Sequence, residues 1–191
     1  QPIEQLSGLR SIPNLNVFRP ADRMETIECW EHALKSSKTP SVLSLTRQNL
    51  EPIRKKYSNV NKCSLGAYEV FRTNKKIHLT IIASGSEVNL AIETSHKLAK
   101  EKVYSKVISM PCQDLFDSQS RTYKQKILNE TKMKISIEAA STDSWKKYVG
   151  NEGLTFGIDT FGKSAPYKEI YKYFGLTAAN IANKSKKLIN R

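Results

Sequence analysis

Ile77 to Met110, IHLTIIASGSEVNLAIETSHKLAKEKVYSKVISM, is the stretch whose reading decides the fold. Ile77 to Ala83 is apolar at nearly every position, the pattern of a strand buried on both faces of a parallel sheet. Ser84-Gly85-Ser86-Glu87 then supplies a turn and a capping box. The Ser84 hydroxyl is placed to accept from the amide of residue 87, and the Glu87 carboxylate from the amide of residue 84. Val88, Ala91, Ile92, Ser95, Leu98 and Ala99 share one helical face, with Glu93, Lys97 and Lys100 turned away. Val103 to Met110 is a second apolar run, ended by Pro111. Together these predict a βαβ unit. Its Ser84-Gly85-Ser86 turn stands at a helix N-terminus, where phosphate sites are often built, so a small phosphometabolite- or anion-binding module is one reading of the chain.

Outward from that unit, Gly66 to Phe71 reads as a strand leading through a polar hairpin, Thr73 to Lys76. Leu50 to Leu65 has Pro52, several Asn and Ser, and little periodicity, which reads as a linker between two lobes. Before it, Ile3 to Leu9 is a helical turn and Leu15 to Phe18 a short strand. Asp22 caps a helix with Glu25 at capping-box distance, and Met24, Ile27, Cys29-Trp30 and Ala33-Leu34 supply its apolar side. Ser41 to Thr46 is the next strand, with Arg47-Gln48-Asn49 at its C-terminal end. Open parallel sheets gather ligands at that end, so this polar cluster is better placed than the Ser84 turn.

Downstream, Gln113 to Gln119 is a loop or short helix and Arg121 to Leu128 a helix. Met133 to Glu138 is a strand, Ser141 to Val149 a short helix with Trp145 and Tyr148 on one face, and Gly153 to Ile158 a strand. Ser164 caps a helix with Pro166 in its first turn, where a missing amide is tolerated. Thr177 caps the last, with Ile181, Ala182, Leu188 and Ile189 inward. The fold class is α/β: a mostly parallel sheet flanked by helices, preceded by a smaller, partial α/β lobe.

The 191 residues suffice for a proper core, and 39% hydrophobic content is ordinary for a globular α/β protein. No apolar run approaches the ~20 residues that span a bilayer, which argues against a membrane protein. The chain opens at Gln1, without Met or a charged-then-apolar leader, so a piece of something longer is expected. Cys29, Cys63 and Cys112 are three, with no C-x-x-C, which predicts a reduced cytoplasmic chain without a disulfide framework. Cys29 and His32 lie three apart on one helix, but no further ligands follow, so they read as half-buried helix residues rather than a metal site. The net charge is +13, and Lys outnumbers Arg 23 to 8. The excess is dispersed over Lys55-Lys56, Lys75-Lys76, Lys132/Lys134, Lys146-Lys147 and Lys184/Lys186-Lys187. A nucleic-acid surface concentrates such charge on one face, so none is expected here.

Gln1 to Gln5, LRSIPNLNVFRPAD (9–22), PSVLSLTRQNL (40–50), Gly66-Ala67-Tyr68, IIASGSEVNLAIE (81–93), VISMPCQDLFDSQ (107–119), KYVG (147–150), FGKSAP (161–166) and KEIYKYFGLT (168–177) form a series. In content and order the series resembles the C-terminal part of transketolase, across nearly the whole chain. The TRQNL and FGKSAP stretches favour it over the ketoacid dehydrogenase β subunits and deoxyxylulose-phosphate synthases. The resemblance implies that residues 1–50 are the C-terminal remnant of a thiamine-diphosphate pyrimidine-binding domain. Residues 51–65 become the linker, and 66–191 the transketolase C-terminal domain.

The whole enzyme moves a two-carbon ketol unit between sugar phosphates, using thiamine diphosphate and a divalent metal (Mg or Ca) at a dimer interface. Arg47, in T-R-Q-N, matches the family's substrate-phosphate arginine, a role suited to a planar guanidinium fork. The alternative for Arg47 is a salt bridge between lobes. No catalytic, cofactor-binding or metal-binding residue of the family falls within this chain. The D-G-P-T-H segment, the activating glutamate and the Gly-Asp-Gly metal motif are missing. The chain alone is therefore expected to bind no cofactor and to be inactive, its partners being an N-terminal transketolase half or homodimer mate and a sugar phosphate. Lys163 and Ala140 depart from the family pattern, at positions remote from chemistry. The first lobe, short of strands, is expected to leave apolar edges exposed.

Overall fold

The computed structural model describes residues 2–54 and 58–189, so Lys55-Lys56 lie outside the described residues. The first lobe begins with helix α1 (Gln5–Arg10). Its parallel pair, β1 (Asn16–Phe18) and β2 (Ser41–Leu43), is joined by helix α2 (Arg23–Lys35). The expected strand at 41–46 stops at Leu43, and Ser44 to Thr46 run on as a loop. Asp22 caps α2 as predicted, its carboxylate accepting from the Glu25 amide at 2.8 Å. The reciprocal bond shifts by one residue, since Glu25 accepts from Ala21 at 2.7 Å.

The orientation of α2 differs from the expectation. Much of its supposed apolar side faces outward: Ile27, Trp30 and Leu34 are 55%, 49% and 80% exposed, whereas Cys29 of that side is buried as expected, and Glu25 and Glu28 are buried with it. The reason is what lies beneath it. Residues 53–68 offer amides, a guanidinium and a phenol, which carboxylates satisfy and alkyl groups do not.

The second lobe is built from β3 (Tyr68–Arg72), β4 (Leu79–Ala83), helix α3 (Glu87–Lys100) and β5 (Ser105–Ser109). There follow α4 (Gln113–Asp117), α5 (Arg121–Leu128), β6 (Lys134–Ile137), α6 (Lys146–Val149), β7 (Leu154–Phe156), α7 (Tyr167–Tyr173) and α8 (Ala178–Ile189). The sheet order is β3-β5-β4-β6-β7, parallel throughout except for β3. The α/β class with a mostly parallel sheet is as predicted. The hairpin from β3 into β4 is not: β3 pairs antiparallel with β5, so residues 73–78 form a crossing loop.

β4 is central, flanked by β5 and β6, and so reads as an unbroken apolar run. Ile81 and Ala83 face the layer of α3 and α8, where Val88, Ala91, Leu98, Ile181 and Leu188 pack. Ile82 faces the other layer, with Phe116, Ile127, Trp145 and Tyr148. A third cluster, Phe18, Cys29, Cys63, Tyr68 and Cys112, joins the lobes. Near the C-terminus Thr177 accepts from the Asn180 amide as expected of a cap. The α7 cap falls on Pro166 rather than Ser164, because Pro166 stays extended at ψ 136° and the helix starts one residue later.

Two glycines with positive φ but different surroundings separate strain from collision. Gly66 sits at φ +76°, and a Cβ there would meet the Phe116 amide nitrogen at 2.1 Å. Gly150 sits at φ +74° with open space around it. Gly150, with ψ −176°, lies in a region open essentially to glycine alone, so Gly150→Ala should cost about 1–3 kcal/mol in urea denaturation, the backbone strain alone. Gly66→Ala should cost several times more, or prevent folding.

Candidate functional site

The two lobes meet where the Ser84 turn ends β4, and charged side chains fill the seam. Arg19 lies across Gly85 so closely that a Cβ there would come within 2.8 Å of its Cγ. Its guanidinium donates to the Ser84 carbonyl at 3.0 Å and to the Glu87 carboxylate, and stands 3.6 Å from Glu138. Arg10 meets Glu138 with two parallel bonds of 2.7 Å. Glu138 also accepts from the Ser84 hydroxyl at 2.5 Å and from the Trp145 indole at 2.7 Å. Glu87 accepts from the Ala139 amide at 2.9 Å, from the Ser86 hydroxyl at 2.6 Å and from the Tyr171 phenol. Two arginines of the first lobe thus neutralise two glutamates of the second, both carboxylates being fully enclosed.

This overturns the predicted capping box. α3 has no side-chain cap at Ser86, because Ser84 and Glu87 are committed to partners 54 and 68 residues away in sequence. The Ser84-Gly85-Ser86 anion site fails for the same reason: the turn already holds a guanidinium, itself matched by two carboxylates. Burial alone would raise the Glu138 carboxyl, but Arg10 and then Arg19 outweigh it and bring it down to about 2. Burial works against the charge on Arg19 too, yet Glu87 and Glu138 push its pKa further up. Arg19 and Glu138 both stay ionised at neutral pH.

Arg47 is elsewhere. It sits on the loop after β2, exposed, and makes no hydrogen bond or ion pair among the described residues. The inter-lobe salt bridge considered for it is made by Arg10 and Arg19 instead. The loop itself is held: the Thr46 hydroxyl accepts from the Gln48 amide at 3.1 Å, and the Gln48 side chain approaches the Tyr171 phenol at 3.5 Å. Thr46 and Gln48 line a cavity of about 310 Å³ together with Gly85, Ser86, Ala139 and Tyr171. The carboxyl ends of β2, β4 and β6 converge there, as in other open parallel sheets. Arg47 stands between two of these lining residues but is not itself among those that line the cavity.

A second buried cluster under α2 was not legible from the sequence. Glu28 is 2.7 Å from Arg54 and accepts from the amides of Lys62 and Cys63 at 3.0 and 3.1 Å. Asp22 accepts from the Ile53 amide at 2.9 Å. Glu25 accepts from the hydroxyls of Tyr68 at 2.7 Å and Ser109 at 2.6 Å, with no cation as partner among the described residues. Burial pushes its carboxyl up to about 7, against the pull of those hydrogen bonds. The only sequence signal was the spacing, acids at 22, 25 and 28 on one helical face. Cys29, Cys63 and Cys112 are all buried free thiols. Burial raises Cys63 and takes Cys112 to about 12, which leaves them protonated and unreactive. The His32 ring packs 5.7 Å from Phe18, and no group of three metal-ligating side chains occurs among the described residues.

The family profile described as "Transketolase-like TK C-terminal domain" matches residues 66–177, and "Transketolase, pyrimidine binding domain" matches 1–52. The transketolase of Sinorhizobium medicae is 43% identical over 192 residues, covering 100% of this chain and 28% of the relative. That of Staphylococcus epidermidis is 46% identical over 190 residues, covering 98% and 29%. Among solved structures, a transketolase from Leishmania mexicana superposes with a TM-score of 0.90 at 41% identity, over 100% of this chain and 28% of that one. The chain thus spans less than a third of the length of these relatives.

Two measurements test the buried charges. Glu138→Gln leaves the Arg10 guanidinium without its carboxylate, and should lower unfolding free energy by about 3–5 kcal/mol. For Glu25 the folded pKa is raised above the unfolded value of ~4.3, so its stabilising contribution is present below that value and lost as pH rises through about 7. Glu25→Gln stays neutral throughout, with Asp22, Tyr68 and Cys63 as the nearest titratable neighbours. Its stability relative to the unsubstituted chain should improve by about 2 kcal/mol from pH 5 to pH 8. A difference flat in pH would contradict this reading of Glu25.

Proposed function

Because this chain belongs to the transketolase family, we propose that it serves as the C-terminal section of an enzyme transferring a two-carbon ketol unit between sugar phosphates. Within it, Arg47 holds the substrate phosphate. The observation that carries the assignment is the exposed, unpaired guanidinium on the T-R-Q-N loop, while Arg10 and Arg19 satisfy the inter-lobe contacts. The same reading divides the chain into a pyrimidine-binding part over residues 1–50, a linker over 51–65 and a C-terminal domain over 66–191.

Thiamine diphosphate and a divalent metal do not fit the residues present. The buried carboxylates are matched by Arg10, Arg19 and Arg54 or closed in by hydroxyls, and no described cluster offers three metal donors. Both groups belong to the N-terminal portion of such an enzyme, and turnover requires that portion. A cytoplasmic setting is proposed as well, on the three unpaired thiols; no described helix is long and apolar enough to cross a membrane.

The chemistry assigned to this chain is positioning. A phosphate gripped at one end of the sugar fixes the distance to the reacting carbonyl at the other, and this remote binding energy orients the substrate. Two parallel N–H···O bonds from Arg47 also fix the direction of approach. The second lobe contributes rigidity, through Tyr171 against Gln48 and through the seam below it.

The test is ketol transfer by this chain mixed with the N-terminal portion of a relative. Arg47→Ala should raise KM for phosphorylated substrates by about 10–100-fold, the loss of a charge-assisted bidentate contact, with kcat much less affected. An unphosphorylated ketose should respond little. Equal losses on both substrate types would remove Arg47 from the phosphate site, and absence of any transfer would remove the reading itself.

A further inference from the structure

The positive charge that is dispersed along the sequence is gathered by the fold. β4, β5, β6 and β7 run parallel, with Leu79 opposite Ser105, Thr80 opposite Lys134 and Ile135 opposite Leu154, so their N-terminal ends lie level at one end of the sheet. The first three are entered through lysine: Lys75-Lys76, Lys102 and Lys132 stand exposed just before them. β3 runs the other way and ends there, with Arg72 opposite Lys106. α3 and α8 finish at the same end, since Lys186 of α8 pairs with Glu101 just past α3. Their last turns add Lys100 and Lys187. Lys146 and Lys147 stay apart, paired with Asp143 and Asp117. We propose that this basic end of the second lobe is a docking surface for the headgroups of an anionic lipid membrane, an inference independent of the transketolase reading.

The charge at this end is in excess. Glu130 is taken by Arg72 and Lys106, Glu69 by Arg72, and Glu101 by Lys186, while Glu152 stands near Lys134. Lys75, Lys76, Lys100, Lys102, Lys132 and Lys187 are exposed and have no carboxylate partner among the described residues. The first lobe does not reach them. It meets the other end of the same strands, at Ser84 and Glu138, a strand length or about 15 Å away.

The chemistry of the surface selects the partner. Arg72, the arginine described at this end, is clamped by Glu69 and Glu130, so it has no free fork for a phosphate or a guanine edge. Tyr104 is half-buried against the His78 ring at 5.6 Å, and the exposed large hydrophobic side chains described all lie elsewhere, which leaves no platform for unpaired bases. α3 and α8 present C-terminal carbonyls here, not the N-terminal amides that hold single phosphates. What remains is a level spread of ammonium groups across strand entries and helix ends. Such a spread matches charge distributed over a plane better than the narrow track of a duplex backbone, and lysine clusters of this size draw proteins onto anionic leaflets. With no apolar side chain to insert, the contact stays at headgroup level and is sensitive to salt.

Flotation of the full chain with vesicles of phosphatidylcholine and phosphatidylserine, mixed three to one, tests this surface. Binding is expected, absent from pure phosphatidylcholine, and should fall by about tenfold or more as salt rises from about 0.05 to 0.2 M. Lys75→Gln, Lys132→Gln and Lys187→Gln in combination should weaken it by about tenfold or more. Lys38→Gln, Lys168→Gln and Lys172→Gln remove the same charge from exposed positions elsewhere, and together should weaken it by less than about threefold. Equal losses in the two combinations would reduce the effect to net charge and overturn the proposal, as would absence of binding to the anionic vesicles. Tighter binding to a random-sequence DNA duplex, read by fluorescence anisotropy at the same salt and lost in the first combination, would assign this end to nucleic acid and overturn the lipid assignment.

Discussion

The arrangement of this molecule depends on the four-charge seam of Arg10, Arg19, Glu87 and Glu138. Taking four charges out of water carries a large desolvation cost, and the mutual attraction offsets it only with good geometry and further hydrogen bonds. Here both conditions hold. Arg10 and Glu138 are bidentate, and the remaining carboxylate lone pairs are met by Ser84, Trp145, Ser86, Ala139 and Tyr171. What such a seam contributes is less net stability than uniqueness. An apolar seam would allow the lobes to slide, whereas this one has a single register in which both carboxylates are satisfied, at the cost of an Arg10 Nε unpartnered among the described residues.

That register fixes the loop carrying Arg47. Tyr171 donates to Glu87 inside the seam and stands 3.5 Å from the Gln48 side chain outside it. The phenol therefore connects the enclosed ion pairs with the residue next to Arg47. Through it the second lobe holds the loop from below. The division of labour among the arginines has a physical basis. Arg10 and Arg19 are enclosed and locked by carboxylates, while Arg47 is exposed and has no partner among the described residues.

What was legible in the sequence follows from the range of the interactions involved. The β4–α3–β5 unit was readable because a central parallel strand must be apolar on both faces, and because Val88, Ala91, Ser95 and Leu98 keep helical spacing. The Ser84–Glu87 capping box was the best local solution, and it lost to partners 54 to 68 residues distant that no local pattern reveals. The strand order failed similarly: a polar loop at 73–78 suits a hairpin, and only the register shows β3 crossing to β5. Arg47 was singled out by motif alone, and its phosphate role stands as a proposal. The carboxylates under α2 were not singled out, since three acids on one helical face ordinarily mean a solvated face.

The inverted helix α2 shows why amphipathic patterns need a partner before they can be read. A carboxylate is buried without great penalty where amides and hydroxyls converge on it, and residues 53–68 with Ser109 supply such a bed for Asp22, Glu25 and Glu28. Once the acids occupy that bed, helical geometry forces Ile27, Trp30 and Leu34 to the opposite side. Their exposure is therefore not a local imperfection that a rotamer change could relieve. Rotating α2 to cover them would pull Glu28 from Arg54 and from two amides, and leave Glu25 and Asp22 against apolar surface. The acids set the angle of the helix, and the angle sets which apolar residues are left for another surface to cover.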